Sequence, residues 1–237
     1  MKFFMDFDGV LCDSAAECYA SSLMALRGDP PPENGAIDPR RYRLFMAMRP
    51  FIRNPEDYLL IQEAIDSGKI TRSQDEFDAL RASRSEETLA SLANRFLEAR
   101  SSFLARKPEL WYELNPPFEG ISELLRLLST NESFFILSTK RADFIEALFS
   151  RWGVQWPSAR VISSRTETKR DLMLMIAKPT ELGGLHFIDD QEEHLKACQG
   201  SGIALYAAEW GYRVPGSPSI GRLIGLAEFI AIAKKLA

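Results

Sequence analysis

The chain opens on a short apolar run, Phe3, Phe4 and Met5, that stops at Asp6; Asp8 follows, then Gly9. An apolar run of this length bounded by a turn former predicts a buried strand. The glycine lets the backbone leave it with positive φ. In extended geometry alternate side chains share a side. Asp6 and Asp8 are therefore expected to point one way and Phe7 into the body of the protein. Residues 15–26, mostly Ala, Ser, Leu and Met, predict a helix entered from Ser14 and left at Gly28. Asp29-Pro30-Pro31-Pro32 begins a stiff loop with further turn formers to Pro39. Asn54-Pro55-Glu56-Asp57 reads as a helix start: Asn at the cap, Pro at the first position, acids in the first turn. Tyr58, Ile61 and Ile65 follow on one face and Gly68 closes it. Between residues 86 and 107 the apolar positions Leu89, Leu92, Phe96, Phe103 and Leu104 keep helical spacing, and Pro108 ends that helix. The whole stretch to residue 112 reads as an all-helical block whose stripes are core.

The character changes from residue 113. Short apolar runs at 134–137, 161–162, 185–188 and 203–207 alternate with helical patterns at 121–129, 143–152, 170–177 and 191–199. Such alternation implies a mostly parallel sheet with helices on both faces. Ligands of such sheets bind outside the carboxyl ends of the strands. Three of the predicted strands end in polar groups suited to one site: Asp6/Asp8, Ser138/Thr139 and Asp189/Asp190. The expected fold class is α/β, with a Rossmann-like parallel sheet core (residues 1–14 and 113–237) and an inserted all-helical domain (15–112).

Composition narrows the function classes. The chain has 237 residues, 46% hydrophobic and 26% charged, the balance of an ordinary soluble domain. Its 29 basic against 33 acidic side chains give a net charge of −4, with no electrostatic case for a nucleic-acid partner or an anionic membrane. Cys12, Cys18 and Cys198 have no paired spacing, so neither a disulfide framework nor a zinc site is expected. The first residues are too few and too acidic for a secretion signal, and no uncharged apolar stretch is long enough to span a membrane. A reducing cytoplasm is the simplest expectation.

The chemistry concentrates at the first strand. Two carboxylates held side by side repel, and a divalent cation relieves that repulsion; hard Mg²⁺ prefers oxygen ligands. The plainer alternative is a pair of acids capping a turn after an exposed strand. The remaining motifs weigh against it. Asp6-Phe7-Asp8-Gly9-Val10, the apolar strand closing on Ser138 with Thr139-Lys140 after it, Lys169 opening a helix in Thr168-Lys169-Arg170-Asp171, and His186-Phe187-Ile188-Asp189-Asp190 occur in that order. Together they resemble the four motifs of the haloacid dehalogenase superfamily, almost end to end. Pro117-Phe118-Glu119-Gly120 and Glu209-Trp210-Gly211-Tyr212 resemble its phosphoglycolate-phosphatase-like branch.

The resemblance implies a Mg²⁺-dependent phosphatase acting on a small phosphomonoester. Asp6 would be the nucleophile and form an aspartyl-phosphate. Asp8 would protonate the leaving alcohol and then take a proton from water. Ser138 would donate to a phosphoryl oxygen, and Lys169 would pair with Asp6 and the phosphate. Gly9, Thr139 and Lys140 would line the phosphate. The metal would be held by Asp6, the backbone carbonyl of Asp8, and an acid of the fourth motif. That motif departs from the family pattern. Register with the following helix puts Asp190 at the metal-binding acid, Asp189 at the preceding glycine and His194 at the second acid, and both adjacent acids are carried as candidates. By the resemblance, the helical insertion corresponds to a mobile C1-type cap that closes over the phosphate, with Arg49, Arg53 and Lys107 as its candidate cations for the rest of the substrate.

Plainer readings stand beside these: Ser138 as a strand-end hydroxyl, Lys169 as a solvated lysine, His194 as a helix-face residue, Cys12 as a small packed hydrophobe, Trp210 as packing in the last strand's exit loop, Lys178 as an exposed rival to Lys169. Alternative activities on the same scaffold are a phosphomutase and a dehalogenase, the latter with no need of Asp8; a catalytically weak metal-binding regulatory protein is a third.

Overall fold

The computed structural model describes residues 1–31, 37–164, 167–177 and 184–237. The chain forms two compact units, Met1–Asp13 with Pro116–Ala237, and Ser14–Asn115. Strand β1 (Lys2–Met5) opens the first.

The second unit is helical: α1 (Ala15–Arg27), α2 (Pro39–Met48), α3 (Pro55–Asp66), α4 (Gln74–Ala82), α5 (Glu86–Arg106) and α6 (Pro108–Glu113). Helix α1 ends at Gly28, whose φ is 72° and whose N–H donates to the Met24 carbonyl. Of the proline-rich loop expected beyond it, residues 32–36, Pro32 among them, lie outside the described residues. Asn54 and Asp57 form the capping box of α3. Pro108 follows the end of α5 but also takes the first position of α6, where its missing N–H costs nothing. The core of this unit gathers Tyr19, Phe45, Leu60, Phe77 and Phe96, all buried. Glu17 and Arg100 form a buried ion pair at 2.9 Å that joins α1 to α5.

The first unit is a six-stranded parallel sheet in the order β3-β2-β1-β4-β5-β6. The other strands are β2 (Phe134–Ser138), β3 (Val161–Ser163), β4 (Leu185–Asp189), β5 (Ala204–Ala208) and β6 (Arg222–Ile224). Its helices are α7 (Ile121–Leu128), α8 (Ala142–Arg151), α9 (Lys169–Ile176), α10 (Glu192–Ala197) and α11 (Leu226–Leu236). The sheet has one strand more than the hydrophobic pattern predicts. Strand β6 is three residues long, with Arg222 and Leu223 exposed, and so carries no legible periodicity. Phe3, Phe4 and Met5 are fully buried, as a strand covered on both faces requires.

The order of the sheet positions the site. Strands β2 and β3 lie on one side of β1, and β4 to β6 on the other, so the order of strand succession reverses between β1 and β4, the switch point where such sheets bind ligands. Met5 stands opposite Ile136 and Ile188, so Asp6 falls level with the ends of β2 and β4. The Asp6 N–H donates to the Ile188 carbonyl at 3.0 Å, carrying the ladder one step past β1. Among the described residues no helix is long and apolar enough to cross a membrane. All three cysteines are buried thiols.

In the helical unit, burial outweighs the N–H groups of Arg53 and Asn54 and raises the Asp57 pKa from 3.8 to about 6. The folded state then holds this proton more tightly than the unfolded chain. The stability contributed is fully present below the unfolded pKa and lost as pH rises through the folded one. An Asp57→Asn variant keeps an acceptor for both N–H groups but cannot titrate. Urea unfolding across this range should find the wild type losing about 3 kcal/mol relative to D57N as pH rises. A difference flat in pH contradicts this.

Candidate active site

The polypeptide leaves β1 in a tight turn. Phe7 is fully buried and stacked on Trp152 with centroids 5.7 Å apart. Its carbonyl accepts the N–H groups of Leu11 and Cys12, while the Gly9 N–H donates to the Cys12 carbonyl. Gly9 has φ +84°. Asp6, before this turn, is 5% exposed. Its Oδ1 accepts from Lys169 Nζ at 2.7 Å, and the same ammonium lies 2.7 Å from Asp189 Oδ2.

Lys169 is the first residue of α9, whose cap, Thr168, accepts the Asp171 N–H. A cation is disfavoured at a helix N-terminus, and here two buried carboxylates hold it in place. Both oxygens of Asp189 are engaged: Oδ1 accepts the Gln191 N–H at 2.8 Å, and Oδ2 meets His194 Nδ1 at 3.0 Å as well as Lys169. Asp190, 1% exposed, takes the Tyr212 N–H on Oδ2 at 2.8 Å. It is wedged between two glycines: a Cβ on Gly9 would run into its carboxylate, and one on Gly211 into its Cβ and the Gly9 carbonyl. Trp210 Nε1 donates to the Val10 carbonyl at 3.1 Å and Tyr212 Oη to Asp13 Oδ1 at 2.7 Å. The segment after β5 thus grips both Asp190 and the turn after β1.

At the end of β2, Ser138 is buried and its Oγ accepts the Lys140 N–H at 3.3 Å, which leaves its own hydrogen to donate elsewhere. Thr139 is partly exposed. Lys140 is 3% exposed, with Nζ 3.0 Å from Asp8 Oδ1. Each acid of the first motif therefore has its own lysine, Lys169 on Asp6 and Lys140 on Asp8. The rival Lys178 lies outside the described residues. Cys12 is fully buried, and Trp210 stacks on Phe229 at 5.7 Å, so both are packing groups. In the helical unit Arg49 lies buried over the Tyr58 ring, Arg53 pairs with Asp78, and Lys107 is exposed.

Asp6, Asp189 and Asp190 each bring an oxygen within 4.8 Å of the others. The Asp8 carboxylate is not in that group. Burial pushes the Asp6 pKa up, the charge of Asp189 adds to the rise, and Lys169 only partly opposes it. Burial also acts against ionised Asp189, but Lys169 and His194 outweigh it and hold its pKa well below the usual range. Lys169 follows the same balance in reverse: burial disfavours its charge, and Asp189 and Asp6 together push its pKa above the ordinary lysine value. Three buried carboxylates gather where one ammonium pairs with two of them, and Asp6 is the acid whose ionised form this crowding and burial disfavour. An all-oxygen donor set of this charge fits a hard divalent cation such as Mg²⁺.

Sequence reasoning missed three contacts. His194 reaches Asp189 because α10 starts directly after β4 and turns residue 194 back toward the strand end. Gly211 and Tyr212 reach Asp190 from beyond the end of the adjacent strand β5. Lys140 reaches Asp8 from the neighbouring strand. Lys140 and His194 were marked by motif position and the Trp-Gly-Tyr segment by its glycine, but none of the three contacts themselves was.

No family model matches the chain, and no curated protein does. Solved structures match it over nearly its whole length. A hydrolase from Pseudomonas syringae has a TM-score of 0.62 at 16% identity, covering 100% of this chain and 99% of that one. A predicted phosphoglycolate phosphatase from Haemophilus somnus has 0.61 at 14% identity, covering 98% and 96%. A haloacid dehalogenase-like family hydrolase from Streptococcus pneumoniae has 0.58 at 17% identity, covering 98% and 97%. The chain has the fold of haloacid dehalogenase-like proteins.

Gly9 and Gly200 both have positive φ, but an added Cβ meets nothing within 4 Å at Gly200. Gly200→Ala should cost about 1–2 kcal/mol, the left-handed penalty alone. Gly9→Ala should cost clearly more in the same urea unfolding experiment, because it also displaces Asp190. Equal costs would mean that Asp190 yields without resistance.

Proposed function

We propose that the chain is a Mg²⁺-dependent phosphatase that hydrolyses a small phosphomonoester through an aspartyl-phosphate on Asp6. The observation that carries this reading is the Lys169 ammonium held between Asp6 and Asp189, beside Asp190, at the switch point of the sheet. A structural acid pair would have no use for a third buried carboxylate, which only adds repulsion.

The roles follow from the contacts. An Asp6 carboxylate oxygen forms a bond to phosphorus as the ester oxygen leaves, and Asp8 gives that oxygen its proton. Water then attacks the phosphorus of the aspartyl-phosphate, loses a proton to Asp8, and releases phosphate with Asp6 regenerated. Lys140 orients Asp8 through their ion pair. Ser138 donates its hydroxyl to a phosphoryl oxygen, with Thr139 alongside. Lys169 neutralises charge on Asp6 and on the incoming phosphate. The part of Gly9 is the space it leaves for Asp190, since its own N–H is taken by Cys12.

Asp189 already serves Lys169, His194 and the Gln191 N–H, so it is read as the group that places Lys169, and Asp190 as the direct metal ligand. When bound by the carboxylates of Asp6 and Asp190 and the Asp8 carbonyl, Mg²⁺ supplies the neutralisation that lets an anionic nucleophile approach an anionic phosphate. The helical unit, inserted between the first and second motifs, is read as the cap and given the choice of leaving group.

Phosphate release from an aryl phosphate and from a panel of metabolite phosphomonoesters tests the reading. Asp6→Asn should fall to background, and Asp8→Asn should slow the reaction by about 10²-fold or more. Addition of EDTA should abolish turnover. Wild-type turnover that survives in D6N removes Asp6 from the chemistry.

A further inference from the structure

His194 is a polar group of the site that the chemistry above does not use. It lies on α10 with its side chain 19% exposed, and its Nδ1 is 3.0 Å from Asp189 Oδ2. That oxygen also accepts from Lys169 at 2.7 Å, and the other oxygen of Asp189 takes the Gln191 N–H at 2.8 Å. A carboxylate that accepts an ammonium and a backbone N–H presents lone pairs, so the hydrogen between His194 and Asp189 must sit on Nδ1. Two donors thus converge on one fully buried oxygen.

We propose that His194 is a positioning residue for Lys169: by donating Nδ1–H to Asp189 Oδ2, it fixes the carboxylate that holds the ammonium against Asp6. The proposal rests on the reading of Asp6 as nucleophile. Its physical basis is competition. Lys169 is shared between Asp6 and Asp189, each at 2.7 Å. A buried oxygen stripped of one donor pulls harder on the one that remains. Loss of the His194 hydrogen bond draws the ammonium toward Asp189 and away from Asp6 and the phosphoryl group that Asp6 attacks. Misplacement of a charged group on this scale slows the chemical step more than it weakens substrate binding.

The test compares His194→Leu, which removes the donor, with His194→Asn, whose side-chain amide nitrogen takes the place of Nδ1. With an aryl phosphate and Mg²⁺, H194L should lose about tenfold or more in kcat with KM within about twofold. H194N should recover most of that loss. The chain has two histidines, His186 and His194, so nitrogen NMR resolves each ring. His194 should be the Nδ1–H tautomer, and the Lys169 ammonium resonance should move in H194L and return in H194N. An Nε2–H tautomer, an H194L enzyme with wild-type kcat, or an H194N enzyme as slow as H194L overturns the proposal. Asp6→Asn in the same assay separates the two claims. If the wild type shows no turnover that depends on Asp6, the phosphatase reading fails, and the tautomer and the Lys169 resonance still decide what His194 does.

Discussion

One shared ammonium carries the arrangement. Lys169 lies 2.7 Å from Asp6 and 2.7 Å from Asp189, and all three are buried. Its two partners come from adjacent parallel strands and the lysine itself from the start of α9, so three elements of the core meet on a single charge. Breaking one side of such a contact leaves a carboxylate buried without its counterion, which typically costs about 3–5 kcal/mol. That cost accounts for the density of secondary support: a backbone N–H on Asp189, a histidine on the same carboxylate, and a glycine pinch with a backbone N–H on Asp190.

The fold makes this meeting possible before any chemistry is added. A parallel sheet delivers all its strand ends to one rim, and a reversal of strand order opens a crevice there. Strands β1 and β4 flank that reversal; Asp6 directly follows β1, and β4 ends in Asp189. The helical unit enters the chain at Ser14, just past the turn that carries Asp8 and Gly9. The cluster itself is built entirely within the sheet unit. Its charge balance, three acids and one base, is where physical chemistry points beyond the protein atoms to a cation.

Much of this was legible in the sequence because its causes are local. Phe3-Phe4-Met5 and Phe134 to Leu137 read as strands because buried parallel strands need continuous apolar runs. Asn54, Asp57 and Gly28 read as helix ends because capping is a matter of adjacent residues. The acids of the site were legible by motif. Strand β6 was not, because three residues at a sheet edge, two of them exposed, carry no period. The contact of His194 with Asp189 depends on how α10 leaves β4. The grip of Tyr212 on Asp190 depends on how the loop after β5 folds back over the end of β4. Neither leaves a periodic trace in the chain.

The claim on which the account depends is that the acids at this rim are gathered to hold a cation. The most direct measurement is the melting temperature of the protein in EDTA and in excess Mg²⁺, for the wild type and for Asp190→Asn. A ligand present at about 100 times its Kd adds about 2.7 kcal/mol of stability, enough to raise the wild-type transition by several degrees. That rise is expected in the wild type, and its loss in D190N. A wild-type transition that does not move with Mg²⁺, or one that moves equally in D190N, contradicts it.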